Sequence, residues 1–538
     1  MTSDINAVIT PAMHVLAAKS FIENLDDEDN PIYGFAGRAQ DWETLDNKAP
    51  TVSNSLAAQT EAIHDIIFAK KITSKDAHLA FLRQDWESGQ IYTVWSMQNN
   101  KLYKTSVKQG QKPCYVTIFD ETYNIDVFMC IFNNYDGYST VAPNSVDGYK
   151  SYEIIKTSDG YIWKWLFNVP RKFLEAWDYN RYCAIPQTDK EKSEDYKIVE
   201  EKLKDLPPLG DILQINILNG GKIKSYVGPT SGVSAIWKIE ITGNGQDAEF
   251  AVDAFETLST GEERVVIGQI INSNGVEEDV TEVRQYWIYT IKSIVPINFG
   301  TGYTHAKAEL VLLDENTTFV KENNNPVYCN FDVLLNPERL LGKNIENDIC
   351  ARFITTKVKF TDDEIGIIHN DITNEDQTIP FFPTSLKYRQ VGLVKGLKTL
   401  SGNLIKDDKI HFYTVMNLSS VSAPFQTGAT ITGTESRASA YILHGHTERQ
   451  SVDTQTILIN NITGEFYLTD QNEYGANEQV EHSINVNGVS EVKSMANITS
   501  YIKNNNDNTQ GTILFLNNFD AIARAEGKSE TFFLTFEL

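Results

Sequence analysis

Residues 158–177 read Ser-Asp-Gly-Tyr-Ile-Trp-Lys-Trp-Leu-Phe-Asn-Val-Pro-Arg-Lys-Phe-Leu-Glu-Ala-Trp. Asp159-Gly160 is a turn signal, and Tyr161, Ile162, Trp163, Trp165, Leu166, Phe167 and Val169 follow it almost without interruption. Aromatic and β-branched side chains at this density predict a buried strand, because they fill a pleated, half-covered surface well. Pro170 has no N–H to give to a ladder, so the strand ends before it. Proline suits the first turn of a helix, and Arg171–Trp177 reads as a short one. The rings of Tyr161–Trp165 are also the kind that stack on sugars; the near-continuous apolar run favours a core strand.

Composition agrees with a β-rich reading outward from this stretch. The 538 residues suit about two to four domains of roughly 100–200 residues each. Apolar residues make up 41%, with 24 Tyr, 26 Phe and 8 Trp, which is enough for sizeable cores and excludes a disordered chain. Asn, Thr, Ile, Val and Tyr are frequent, and long Ala/Leu/Glu/Lys runs are few, so the expected class is mainly β. The formal net charge of −25 repels phosphate backbones and anionic lipid surfaces. Neither nucleic acid nor a membrane is therefore an expected partner, and the charge reads as a device for solubility. Cys114, Cys130, Cys183, Cys329 and Cys350 are odd in number, widely spaced and without a C-x-x-C, which predicts free thiols rather than a disulfide framework or a zinc site. Residues 1–10 lack a basic and an apolar region, so no signal peptide is expected. No window approaches the ~18 consecutive apolar residues of a spanning helix.

Taken in order, Ala7–Phe21 reads as a short helix or strand, and Asp26-Asp27-Glu28-Asp29 as a solvated loop without the pattern of a calcium loop. Ile32–Arg38 reads as a strand leading to Asp41-Trp42. A helix is expected over 54–70, with Ile63, Ile66 and Ile67 on one face and Ser53, Asn54 or Ser55 as the cap. Strands are expected at Ala80–Arg83, Ile91–Trp95, Cys114–Phe119 and Asp126–Phe132. A second helix is expected over 189–206, with Tyr196, Val199, Leu203 and Leu206 in one stripe, ended by Pro207-Pro208. Residues 1–208 are thus expected to form the first part of a β-rich core that carries these two helices. From 209 to 325 Gly, Asn, Ser and Thr rise. Turn signals such as Gly243-Asn244-Gly245 and Gly300-Thr301-Gly302 separate what read as short strands of an inserted small β domain. Residues 326–400 return to longer core strands, at Cys350–Phe360, Glu364–Ile368 and Tyr388–Val394. Residues 401–510 read as a second small β module, with strands at Ala438–Leu443 and Thr456–Ile462. Residues 511–538 supply closing core strands, Thr512–Leu516 and Thr531–Leu538.

Chemistry-bearing motifs are few. The chain has no P-loop, G-x-S-x-G, H-E-x-x-H or C-x-x-C. Gly243-x-Gly245-x-x-Ala248 lacks the following helix that a dinucleotide fingerprint requires, since Glu249–Val252 reads as a strand. His444-Gly445-His446 is the only close histidine pair and has no third ligand nearby in sequence. The 72 Asp and Glu residues would allow a glycosidase-like pair, but sequence cannot place two carboxylates at a working separation. No catalytic, cofactor-binding or metal residue is assigned, and no cofactor is expected.

Several stretches resemble the gene-product-eight family, the baseplate wedge subunits of T-even-like contractile-tailed phages, and they occur in that family's order. Ile32–Trp42 is similar to its early strand. Phe81-Leu82-Arg83-Gln84-Asp85-Trp86 with Tyr92 resembles its basic-Asp-Trp segment. Val127–Ile131 followed by Ser139-Thr140-Val141-Ala142-Pro143 resembles a strand before a Ser/Thr-Pro loop. Asp159–Pro170 is the nearest match, and Tyr388–Leu393 resembles a Phe-Arg-Gln-Ile run. Gly511–Phe515 with Thr531–Leu538 resembles the closing hairpin. The departure is length, concentrated in 209–325 and 400–510. The resemblance implies a β-sandwich core, a homodimer, other wedge proteins as partners, a place in the virion tail baseplate after synthesis in the host cytoplasm, and no catalysis. The rival expectation is a tail-associated protein that binds or degrades glycans.

Overall fold

Ala77–Ala80 pair with Phe353–Thr356, whereas the ring of the next residue, Phe81, packs edge-on against Tyr115 and Phe167. The chain divides there, in a computed structural model that describes residues 10–43, 48–95, 109–206, 210–230, 235–336, 340–361, 365–370, 375–380, 386–445, 453–468, 477–486, 489–502, 504–523 and 528–538. One compact unit comprises Met1–Ala80 and Arg352–Leu538, the other Phe81–Ala351. The stretch expected as one piece, 1–208, is therefore shared between two units. The protein is mainly β, with 51% strand and 12% helix, so sheets supply nearly all the packing surfaces.

In the first unit five strands lie in the order Lys409–His411, Ile66–Lys71, Ile32–Gly37, Lys387–Lys395, Thr512–Ala523. The central strand is buried along its whole length. It sets Gly34 opposite Lys70 on one side and Leu393 on the other. A second sheet joins Glu530–Glu537, Phe353–Phe360 and the start of Ala77–Leu82. The sheets pack face to face: Phe68 meets Phe360 with centroids 4.9 Å apart, and Tyr388 meets Phe532 at 5.5 Å. Gly34 is required at this approach, since a Cβ there would lie 2.2 Å from Val358 Cγ2. The helix expected over 54–70 is shorter, Leu56–His64, and Ile66–Lys71 is a strand. Ser55 caps the helix, accepting from Ala58 N–H at 3.3 Å. Asp65 stops it, because its carbonyl accepts from Arg38 N–H at 2.9 Å and its carboxylate takes the Arg38 guanidinium at 2.9 Å. The β-branched and aromatic run Ile66-Ile67-Phe68 then extends rather than coils.

Within 414–502 six strands form a closed barrel in the order Thr414–Ser419, Thr454–Thr463, Ser439–His444, Thr430–Gly433, Gln479–Val486, Val489–Ile502. Its interior is filled by Met416, Leu418, Phe425, Ile431, Ile442, Ile457, Ile459 and Ile498.

In the second unit the strand predicted from 158–177 is Tyr161–Val169, followed by the short helix Arg171–Leu174. It lies in a sheet ordered Tyr115–Phe119, Ile125–Asn133, Tyr161–Val169, Ile154–Lys156. The helix Glu194–Asp205 starts at Ser193, whose hydroxyl accepts from Tyr196 N–H at 3.1 Å, and it buries Tyr196, Val199 and Leu203. The tilted Tyr196 ring lies 5.6 Å from Phe167. The strand expected at Ile91–Trp95 is absent. Gln90 and Tyr92 instead make isolated bridges to Ser139 and Lys112.

Beyond residue 209 the second unit holds a different core. Ile212–Gly220 pairs with Cys329–Leu335, and Trp237–Gly243 with Ala306–Leu312. Three of these strands match the runs expected at Ile212–Leu218, Ala235–Ile241 and Ala306–Leu312, but between Gly245 and Gly302 lie two long strands, Gln246–Ile271 and Glu277–Thr301, of 26 and 25 residues. They pair in register from Gln246↔Thr301 to Ile271↔Glu277 through five bulges. Bulges absorb the extra residues and increase the local twist of the ribbon. The proximal part is anchored by Phe250, Tyr289 and Ile291, all buried.

Candidate functional site

Asp159 organises the stretch from which the sequence was read. It sits in a turn before Gly160, whose φ of 85° is one that glycine adopts without strain. One carboxylate oxygen accepts from Thr140 N–H at 2.8 Å, Val141 N–H at 2.9 Å and Ser139 Oγ at 3.4 Å. The other accepts from the Thr157 hydroxyl and from Tyr161 N–H at 3.3 Å. Burial raises the pKa of this group, but these donors outweigh it and hold the carboxyl below its usual range. Trp86 Nε1 donates to Ser139 Oγ at 3.1 Å, and Tyr92 N–H donates to the Tyr161 hydroxyl at 3.3 Å. The Asp-Trp segment, the Ser/Thr-Pro loop and the Asp-Gly strand are thereby wired to one another. The rings beyond are core: Tyr161, Trp163 and Trp165 are fully buried, and Trp163 stacks on Tyr161 at 5.5 Å. They offer no face to a sugar.

A carboxylate cluster lies at the other end of the same sheet. Asp126, in the Ile125–Asn133 strand, is fully buried. It accepts from Trp165 Nε1 at 2.9 Å and from the Tyr149 hydroxyl at 2.8 Å. Lys150 Nζ lies 2.9 Å from Asp120, 3.6 Å from Asp195 and 3.9 Å from Asp126. Burial pushes Asp126 up to about 6 despite Trp165, Lys150 and Tyr149. Burial also raises Asp120, but Lys150, Thr122 and Asn124 bring it down to about 2. Two carboxyls with separated pKa values suit acid–base chemistry in principle. Here the would-be acid has no exposed surface, so no substrate bond reaches it. The cluster braces the sheet against the Glu194–Asp205 helix.

The remaining candidates divide similarly. Asp27 caps its own loop, accepting from Asp29 N–H at 2.9 Å, and Asp26 takes Ser74, so the early acidic run is turn chemistry. Gly243-Asn244-Gly245 joins two strands, and Glu249–Val252 lies within the long Gln246–Ile271 strand. His444 ends a barrel strand; its sequence partner His446 lies outside the described residues. Among the described residues no group of three His, Cys, Asp or Glu is placed to share a metal ion, and no helix is long and apolar enough to cross a membrane. No disulfide joins any of the five cysteines.

Two surface features were not singled out from sequence. A shallow dish of about 510 Å³ is lined by Phe119, Tyr123, Arg171, Leu174 and Tyr179. The guanidinium of Arg171 lies 5.5 Å over the Tyr123 ring. The second feature is the distal part of the long hairpin, where no residue from Arg264 to Val283 is buried. The signal for it was present as the polar–apolar run Glu263–Ile271 followed by Glu277–Val283, interrupted only by Asn272–Val276. No family model matches the chain, and no curated protein matches it.

Proposed function

We propose that the chain is a structural subunit of a contractile phage tail baseplate, a wedge component that acts through its interfaces rather than by catalysis. The observation that carries this reading is the convergence of the family-like stretches. Ile32–Gly37, Lys387–Lys395 and Thr512–Ala523 are adjacent strands of one sheet, though they are hundreds of residues apart. In the other unit Trp86, Ser139, Thr140, Asp159 and Tyr161 form one hydrogen-bonded set. Stretches chosen for resemblance alone would have no reason to meet in this way. In this reading two copies associate, and the subunit holds its neighbours in one arrangement before sheath contraction and another after it. Such a change is a rigid-body switch at interfaces.

Cross-linking mass spectrometry on purified intact tails tests it. Cross-links from this chain to a second copy and to several other tail proteins are expected. Cross-links leading only to distal fibres, or absence of the chain from tails, would remove the wedge assignment. The second reading, glycan binding, is favoured by the dish, whose Phe119, Tyr123 and Tyr179 are exposed by 38%, 64% and 36%. Aromatic faces of that kind are what a sugar ring stacks on. Glycan-array binding that Tyr123→Ala abolishes would favour it.

A further inference from the structure

The last tether of the long hairpin is at Glu263. Its carboxylate pairs with Lys224 at 2.5 Å, and Lys224 in turn lies 4.5 Å over the Tyr286 ring. Beyond that point the two strands continue alone for eight residues, Arg264–Ile271, about 25 Å of extended chain. The turn at the tip is well made: Gly275 N–H donates to the Asn272 carbonyl at 2.9 Å, and the Asn272 side chain accepts from Asn274 and Val276. The projection is therefore a formed element. A two-stranded ribbon is nonetheless marginal in water without a third strand or a packed face.

Its two strands differ in chemistry. Arg264–Ile271 carries Val265, Val266, Ile267, Ile270 and Ile271, of which Ile270 and Ile271 are 57% and 71% exposed. Glu277–Val283 carries Glu277, Glu278, Asp279 and Glu282. In register, Ile270 stands beside Glu278, Ile271 beside Glu277, and Val265 beside Glu282. Each face of the ribbon thus has an aliphatic side and an acidic side. The aliphatic strand is the outermost of its sheet, so its free edge presents unpaired N–H and C=O groups. Proteins usually protect such an edge with lysine, proline or an inward charge. Residues 265–283 contain neither Lys nor Pro, and the one irregularity of this edge is the bulge between Val266 and Gly268. An open aliphatic edge without such a charge or proline is a template for another strand.

We propose that the distal hairpin, Arg264–Val283, is a docking arm whose Arg264–Ile271 edge adds to an edge strand of a different protein with aliphatic and basic side chains. The charges select the occupant. Four carboxylates against one arginine, on a chain of net charge −25, oppose a second copy, an anionic lipid surface and a nucleic acid alike. On a strand added at this edge, aliphatic residues cover Val266, Ile270 and Ile271, and long Lys or Arg side chains reach across the ribbon face to the acids, about 10 Å or two strand spacings away. The inference stands on the arm alone and holds whether or not the chain belongs to a tail.

The test uses the full-length chain and two synthetic decapeptides, one alternating Val and Lys, the other Val and Glu. Binding is read by fluorescence anisotropy and by amide hydrogen exchange. The Val-Lys peptide is expected to slow exchange across 264–271. The variant Glu277→Lys/Glu278→Lys/Asp279→Lys/Glu282→Lys should bind it about tenfold more weakly, four exposed pairs at a few tenths of a kcal/mol each, and should prefer the Val-Glu peptide. Ile270→Ser/Ile271→Ser should bind neither. All six sites are solvent-exposed, and an unchanged near-ultraviolet spectrum confirms the fold of each variant. Equal affinity for both peptides, or protection elsewhere than 264–283, would overturn the proposal. So would a concentration-dependent dimer that Ile270→Ser/Ile271→Ser abolishes, which would give the edge to a second copy.

Discussion

Asp126→Asn isolates the cost of a buried acid. The wild-type carboxyl has a folded pKa near 6 against an ordinary value of 3.8. The cause is burial, which its neighbours only partly offset: Lys150 is the nearest cation at 3.9 Å, and it also serves Asp120 and Asp195. A folded pKa above the unfolded one means that the native state holds a proton which the unfolded state releases. Stability from this group is therefore full below about pH 4 and is lost as pH rises through about 6. A shift of about two units corresponds to about 3 kcal/mol at neutral pH, and with no exposed atom at Asp126 no discount for solvent screening applies. Asparagine keeps the shape and the acceptor for Trp165 Nε1, and it does not titrate. Its amide meets the Tyr149 hydroxyl differently, but that offset does not vary with pH. Urea unfolding of the full chain, followed by tryptophan fluorescence between pH 4 and 7, should show the variant gaining about 3 kcal/mol on the wild type across the window. Parallel pH profiles for the two proteins would refute the reasoning.

Two further perturbations probe the cores. Trp163→Ala removes a fully buried ring stacked on Tyr161 and edge-on to Tyr92, and should cost about 3–5 kcal/mol in urea unfolding of the second unit. Glu478→Ala should selectively destabilise the barrel. That buried carboxylate accepts from the N–H groups of Glu435 at 2.7 Å, Ser436 at 2.6 Å and Tyr467 at 3.0 Å, and losing it strands those donors, at about 2–4 kcal/mol in total. Faster amide exchange confined to 414–502 is the expected readout.

What was legible in the sequence was local. Tyr161–Val169 announced itself through side-chain type and was bounded by Asp159-Gly160 and Pro170, each acting through its own backbone chemistry. The Glu194–Asp205 helix carried its stripe in plain view, although it starts at Ser193 rather than at 189. What was hidden depended on distant partners. Ile66 and Ile67 fit either a helix face or a strand, and pairing with Ile32–Gly37 decided between them. Nothing in the sequence between Gly245 and Gly300 announced one long paired ribbon: Gly261 makes room for Tyr286, whose hydroxyl a Cβ would approach to 2.5 Å, and Gly268 sits beside a bulge. Asp126 read only as the first residue of the strand expected at Asp126–Phe132. Only the fold brings Trp165, Tyr149 and Lys150 around it. The dish and the docking arm were missed for the same reason, since exposure is a property of the assembled surface.

The sheet containing Ile32–Gly37 has a consequence for how the protein is made. Its last strand, Thr512–Ala523, is synthesised some 480 residues after the first (512 − 32), which at ribosomal speed is roughly half a minute to a minute and a half. During that interval the whole Phe81–Ala351 unit emerges and has every strand of its own sheets available. The early hairpin of Ile32–Gly37 and Ile66–Lys71 must wait with both edges open, until Lys387–Lys395 arrives on one side and Lys409–His411 on the other. The nascent chain is thus most exposed to mispairing at its oldest strands, and a chaperone that protects this protein would be needed there, at the beginning of the chain, until residue 411 has emerged.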